Sequence, residues 1–187
     1  MLVFALICFF GLMWFRRIDR IPRKRLFAVF FLALIVYGTA TPILGRLPVG
    51  DISASLGRNS TLTERTVNWA TLLPVAMAKA LVGHGVGGFW TSYSMSRYYF
   101  PAHNGYLEVV LVLGFAGLVL VSIFFLSSVP RMHALLIRDF EWGALWFCWL
   151  AMALINNITE SSLQSFSNIL MAIPLWMTLL AGELEHR

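Results

Sequence analysis

Two arginines, Arg58 and Arg65, frame the stretch Gly57-Arg58-Asn59-Ser60-Thr61-Leu62-Thr63-Glu64-Arg65. Thr61 with Glu64 three residues later is a capping-box pattern, so the spacing predicts a helix starting at Leu62. The free N–H groups and positive dipole end of such a helix, beside two guanidinium groups, suit a phosphate. Arginine grips phosphate through a bidentate fork that lysine lacks, and arginines here outnumber lysines twelve to two. Codon bias would give the same excess, and solvation or contact with lipid headgroups would also account for both arginines.

A second group opens an apolar run. In Pro101-Ala102-His103-Asn104-Gly105-Tyr106-Leu107-Glu108, His103 stands at the mouth of a predicted helix. Glu108 lies about one and a half turns deeper. An ionisable side chain inside an apolar span is expensive and points to function. Histidine titrates near neutrality and can take a proton from a hydroxyl. The structural alternatives are that His103 caps the helix and that Glu108 pairs with an arginine. Further on, Asn156-Asn157-Ile158-Thr159-Glu160-Ser161-Ser162 gathers polar groups at the same end of the spans.

Gly83, Gly85 and Gly88 match the spacing of a dinucleotide fingerprint. No βαβ unit is in prospect, so these glycines are read as tight turns bringing backbone close to a neighbour. Trp90, Tyr93, Tyr98 and Tyr99 make either an interfacial aromatic belt or a platform for stacking sugar rings. His84, His103 and His133 are unclustered, and no Cys or His stands at ligand spacing, so no metal is expected.

The elements that position these groups follow from composition. Of 187 residues, 59% are hydrophobic and 12% charged, with mean hydropathy +0.76 and net charge +5. Soluble domains carry about 45–50% apolar and about 25% charged residues, so that class is excluded. Nucleic acid is excluded as a partner because the basic residues are few and scattered among apolar runs. Cys8 and Cys148 both lie in apolar stretches, which argues against a disulfide scaffold. The expectation is an all-α fold, a polytopic membrane helical bundle forming a single domain over residues 1–187.

A bilayer core of about 30 Å asks for about 20 helical residues. Five apolar segments emerge: Met1–Phe15, Leu26–Leu44, Gly105–Val129, Trp142–Ile158 and Leu163–Gly182. The first is short, and it has neither a basic stretch ahead nor a small-residue cleavage site after it. It reads as a chain that begins inside a helix, the C-terminal piece of a longer protein. The linker from Arg16 to Arg25 holds six basic residues against one acid, which places it in the cytoplasm. Alternation then puts residues 45–104 outside as a large, partly helical loop, 130–141 inside as a loop, and Thr159–Ser162 outside as a turn. Within the large loop, Leu62, Trp69, Leu72, Leu73 and Ala76 form an apolar stripe until Pro74 bends the helix. Such a helix would lie along the membrane surface. Arg46, Arg58, Arg65, Lys79 and Arg97 on this outer loop run against the charge rule and call for another role.

The runs GRNSTLTERTVNW, GHGVGGFW and AHNGYLEVVLVLGFAGL, with NNITESS downstream, resemble the O-antigen ligase and exopolysaccharide polymerase superfamily. The similarity is closest to its exopolysaccharide-production branch and runs in order along nearly the whole chain. It implies a GT-C-like glycosyltransferase of the bacterial inner membrane acting at the periplasmic face, with residues 45–104 as the catalytic loop. The implied donor is an undecaprenyl-diphosphate-linked glycan and the acceptor a glycan or lipid-linked sugar, in contact with membrane lipid and without cofactor. Carried over by motif, Arg65 and Arg58 would bind the diphosphate and His103 would activate or position the acceptor hydroxyl. Asn104, Glu108 and Glu160 match supporting positions. Members of the family are longer and carry more spans, so an N-terminal half would complete this chain. The family's Leu-Thr-Gly-Arg is Leu-Thr-Glu-Arg here, which sets Glu64 beside the diphosphate position. The alternatives are a non-catalytic membrane subunit and an inactive truncated fragment of such an enzyme.

Overall fold

The computed structural model describes residues 2–18, 22, 24–44, 60–98, 101–163 and 168–185, the side chains of 2, 60–64 and 179–185 excepted. Among these residues the chain is all-helical. In order it forms α1 (Leu2–Arg17), α2 (Lys24–Leu44), α3 (Ser60–Ala78), α4 (Ser92–Arg97), α5 (Gly105–Arg138), α6 (Phe140–Thr159) and α7 (Ile169–Glu185). A helix forms in each of the five apolar segments, in the last of them from Ile169 onward. Three of these helices, α2, α5 and α6, are long and apolar enough to cross a membrane. α1 has 16 residues, which reach about 24 Å, short of the about 30 Å of a bilayer core. α7 contributes a shorter apolar stretch, Ile169–Thr178.

The chain packs as two compact units. One comprises Met1–Ile35, Ser122–Asn156 and Ser165–Arg187. Its aromatic centre is Phe147 of α6, whose ring meets Phe27, Phe30 and Phe31 of α2 at centroid distances of 5.2, 5.7 and 5.3 Å. The loop expected over residues 130–141 is not formed. α5 instead runs through Pro130 to Arg138, and Asp139 alone joins it to α6. A proline inside a helix costs about 3 kcal/mol. The burial of Met132 and Leu136 just beyond it offsets that cost. Asp139 closes one helix and opens the next: its N–H donates to Leu135 O at 2.7 Å, and its carbonyl accepts from Gly143 N at 3.0 Å.

The other unit comprises Val36–Val121 and Asn157–Gln164. Trp69, Leu72 and Ala76 of the expected stripe are fully buried, and α3 continues through Pro74 to Ala78. Gly105–Val129 had been expected to form an unbroken span. It is interrupted at Gly114, which adopts φ 67° and ψ −170°. In an apolar environment such a break costs several kcal/mol per unsatisfied backbone group unless other protein groups supply partners. Residues 80–85 supply them. His84 N and Gly85 N donate to the carbonyls of Leu111 and Val112 at 2.9 and 2.8 Å. Beyond the break, Phe115 N and Ala116 N donate to the carbonyls of Ala80 and Leu81 at 2.7 and 3.1 Å.

The glycine run is therefore a backbone clasp, as the tight-turn reading anticipated. Gly83 has φ 68°, and a Cβ there would run into the backbone of Val112 and Gly114. A Cβ at Gly114 would in turn strike the backbone of Leu81 and Val82. Two positive-φ glycines face one another where two pieces of backbone come closer than any side chain allows.

Candidate functional site

The site is built around a short strap, residues 101–104, that enters α5. Asn104 is the N-cap of that helix: its Oδ1 accepts from Leu107 N at 2.8 Å. Its amide nitrogen donates to Gly38 O of α2 at 3.1 Å and to Ile158 O of α6 at 3.0 Å. Both carbonyls lack an intrahelical donor for reasons visible in the chain. Pro42, four residues after Gly38, has no N–H to offer it. Ile158 lies in the last turn of α6, where carbonyls outrun their donors. One buried amide thus satisfies three orphaned backbone groups on three helices, and its place in the site is architectural.

The rest of the strap is pinned from α3 and α5. Trp69 Nε1 donates to Ala102 O at 2.8 Å, and Asn68 Nδ2 to Pro101 O at 3.4 Å. On the other side, Glu108 Oε2 accepts from Ala102 N at 3.1 Å, while its Oε1 accepts from Trp90 Nε1. Among the described residues the Glu108 carboxylate accepts from an indole and a backbone N–H, and Arg65 pairs with Glu160. A buried carboxylate needs its lone pairs filled, and two N–H donors next to it fill them.

His103 sits between these anchors with φ 51°, the one non-glycine positive φ among the described residues. Held on both sides, it keeps a backbone conformation that costs of order 1–3 kcal/mol and recurs at functional positions. The structural alternative for His103, a helix cap, falls away because Asn104 does the capping.

Arg65, in the second turn of α3, places Nη2 3.1 Å from Glu160 Oε1. The other oxygen of Glu160 lies 3.5 Å from His103 Nδ1. The side chains are 24% (Arg65), 36% (His103) and 45% (Glu160) exposed, so the cluster opens to its surroundings. Nδ1 of His103 is itself buried, so the exposed part of the ring lies away from Glu160. Glu160 follows the end of α6, where Asn157 Oδ1 gathers Ser162 N, Ser162 Oγ and Leu163 N at 2.9, 3.1 and 2.9 Å. That knot is the expected turn at Thr159–Ser162.

Of the site residues expected from sequence, the structure brings Arg65, His103 and Glu160 into contact and stacks Asn104 and Glu108 behind them. Arg58 lies outside the described residues, as do Tyr99 and the side chains of Thr61 and Glu64. Trp90, read as belt or platform, is half-buried and committed to Glu108; Tyr93 is exposed, beside Arg97 Nη1 at 3.1 Å. His84 is structural, with Nε2 3.1 Å from Val75 O and its ring against Phe89. Among the described residues no group of His, Cys, Asp and Glu is placed to hold a metal. Sequence reasoning missed the strap anchors Asn68 and Trp69 and the turn anchor Asn157. Pro42 carried one usable signal, since a proline within an apolar helix announces an unpaired carbonyl four residues earlier.

An arginine, a carboxylate and a histidine in this order bring together groups whose chemistry suits an anion and a hydroxyl. A guanidinium can neutralise negative charge, and a histidine backed by a carboxylate can accept a proton.

Comparison with known proteins returns the same region. A family model described as O-Antigen ligase matches residues 1–122. The Exopolysaccharide production protein ExoQ of Rhizobium meliloti (strain 1021) is 30% identical over 112 residues, 52% of this chain and 26% of that protein. The match thus spans about a quarter of that relative's length. No solved structure matches the chain. The family match ends before Glu160, which the fold alone carries to Arg65 and His103.

Proposed function

The chain belongs to the O-antigen ligase family, and from that premise we propose that it is a membrane glycosyltransferase acting at the periplasmic face of the bacterial inner membrane. Its donor is a glycan carried on undecaprenyl diphosphate, and its acceptor a glycan or lipid-linked sugar, in O-antigen or exopolysaccharide synthesis. The observation that carries the reading is the contact of Arg65 with Glu160 and of Glu160 with His103, which sits on the pinned strap. The exopolysaccharide relative supports the choice of glycan chemistry.

The reaction needs one bond made and one broken. The acceptor hydroxyl oxygen attacks the anomeric carbon of the donor from the face opposite the diphosphate, and the bond from that carbon to the diphosphate oxygen breaks. The diphosphate leaves with the electron pair while Arg65, together with Arg58 from the same motif, neutralises its growing charge. The hydroxyl proton passes to the exposed side of His103, whose Nδ1 faces Glu160. Because a diphosphate with its charge neutralised is a good leaving group, no acid is required on the donor side.

The test is product formation in membranes supplied with lipid-linked glycan, comparing wild type with Arg65→Ala and His103→Ala. Removing one charge-stabilising donor or one general base lowers turnover by a factor of about 100 or more. Undiminished product from both variants would dismiss the reading.

A further inference from the structure

Glu160 occupies Arg65 Nη2, the donor for which an incoming diphosphate would compete, and the structure contains the means of exchange. We propose that Glu160 is an exchangeable counter-ion: its carboxylate occupies the anion position on Arg65 in the empty site, and an incoming diphosphate displaces it onto His103. This rests on the reading that Arg65 receives the donor's diphosphate.

The contrast between the two carboxylates of the site carries the inference. Glu108 is 5% exposed, and both its oxygens accept N–H donors that fix the strap. Glu160 is half-exposed and meets Arg65 through a single Nη2–Oε1 contact of 3.1 Å. That contact is short of the two-pronged fork an arginine forms with a committed carboxylate. A half-exposed, one-pronged pair is weakly held and readily exchanged. A diphosphate offers more charge and more acceptor oxygens to the same guanidinium, so it wins the competition.

The surroundings limit where the displaced carboxylate can go. The backbone beyond Glu160 is tied down by Asn157 through Ser162 and Leu163, so the exchange is a side-chain movement. His103 Nδ1 already stands 3.5 Å from Oε2, beyond hydrogen-bond contact but within easy closure. Leaving Arg65 lets the carboxylate close on Nδ1, hold the ring and stabilise the imidazolium formed when the acceptor proton arrives. Donor binding would thereby arm the base, coupling the anion half of the site to the proton half. Glu160 acts through His103 and is a positioning residue.

The experiment is titration of the purified full chain in detergent with inorganic pyrophosphate, followed calorimetrically. Wild type is compared with Glu160→Gln, Glu160→Ala and Arg65→Ala, each checked by circular dichroism for retained helix. Both Glu160 variants are expected to bind pyrophosphate about threefold to tenfold more tightly, the scale of releasing a half-exposed ion pair and removing a like charge. Arg65→Ala is expected to lose binding. Unchanged or weaker binding by the folded Glu160 variants, with binding still lost in Arg65→Ala, overturns the exchange alone. Undiminished binding by Arg65→Ala overturns the assignment of Arg65 on which it rests.

Discussion

Replacing Asn104 with alanine removes a side chain that three helices share, and the consequences can be counted from its contacts. The cap on Leu107 N is lost, and the carbonyls of Gly38 and Ile158 lose their donor in a fully buried setting. Loss of an Asn cap costs about 1 kcal/mol. A buried acceptor left unsatisfied costs about 1–3 kcal/mol in soluble proteins, while hydrogen bonds between membrane helices average about 0.6 kcal/mol. Taking about 1 kcal/mol for each carbonyl gives about 3 kcal/mol in all. For a chain of 187 residues that is a fall in melting temperature of about 6–12 °C. The origin of one orphaned carbonyl gives a sharper test. Pro42→Ala supplies an N–H that can close onto Gly38 O. In the Asn104→Ala background it should recover about 1 kcal/mol, or about 2–4 °C, beyond its effect in wild type. Thermal unfolding of the four proteins in detergent, read by far-ultraviolet circular dichroism, measures both quantities. A fall of less than about 2 °C in Asn104→Ala, or an equal Pro42→Ala effect in both backgrounds, refutes the reasoning.

The backbone clasp predicts an order among glycine substitutions. Gly114→Ala and Gly83→Ala combine positive-φ strain of about 1–2 kcal/mol with a backbone collision and should abolish protease-resistant protein in membranes. Gly85→Ala meets open space and should cost only the strain, leaving folded protein. Glu108→Gln keeps one acceptor oxygen and loses the other, freeing either Trp90 or Ala102. It should lower stability by about 1–2 kcal/mol and reduce transfer while pyrophosphate binding persists, as calorimetry and product assay together would show. Trp69→Phe removes the bond to Ala102 O together with part of a fully buried ring. A product assay should find slower turnover with donor KM unchanged, because the strap that loosens carries His103 and not Arg65.

Much of the architecture was legible in the chain because apolar runs of bilayer length have few alternatives to a helix. The stripe on α3 and the turn after α6 were read from spacing alone. The failures have physical reasons. The gap between two apolar segments suggested a loop over 130–141; burial of Met132 and Leu136 keeps α5 helical through Pro130 instead. Gly114 passed as one more residue of an apolar span, because a broken helix is tolerable only when a distant segment supplies its missing partners, and spacing carries no record of that segment. The indole of Trp90 and the N–H of Ala102, which meet the two oxygens of Glu108, come from segments that spacing does not connect to it.

By itself, the sequence determined residue chemistry and local geometry: helices from apolar length, turns from glycine, an arginine near a helix start, and a histidine at a helix mouth. Those properties depend on neighbours a few positions away, so they are written in short motifs. Tertiary structure alone decided the partnerships. Glu160 lies 95 positions from Arg65, and only the packing of α3, α5 and α6 brings it between that arginine and His103. Hydrogen bonds and ion pairs act over about 3 Å, so which groups share one is settled by where the folded backbone puts them.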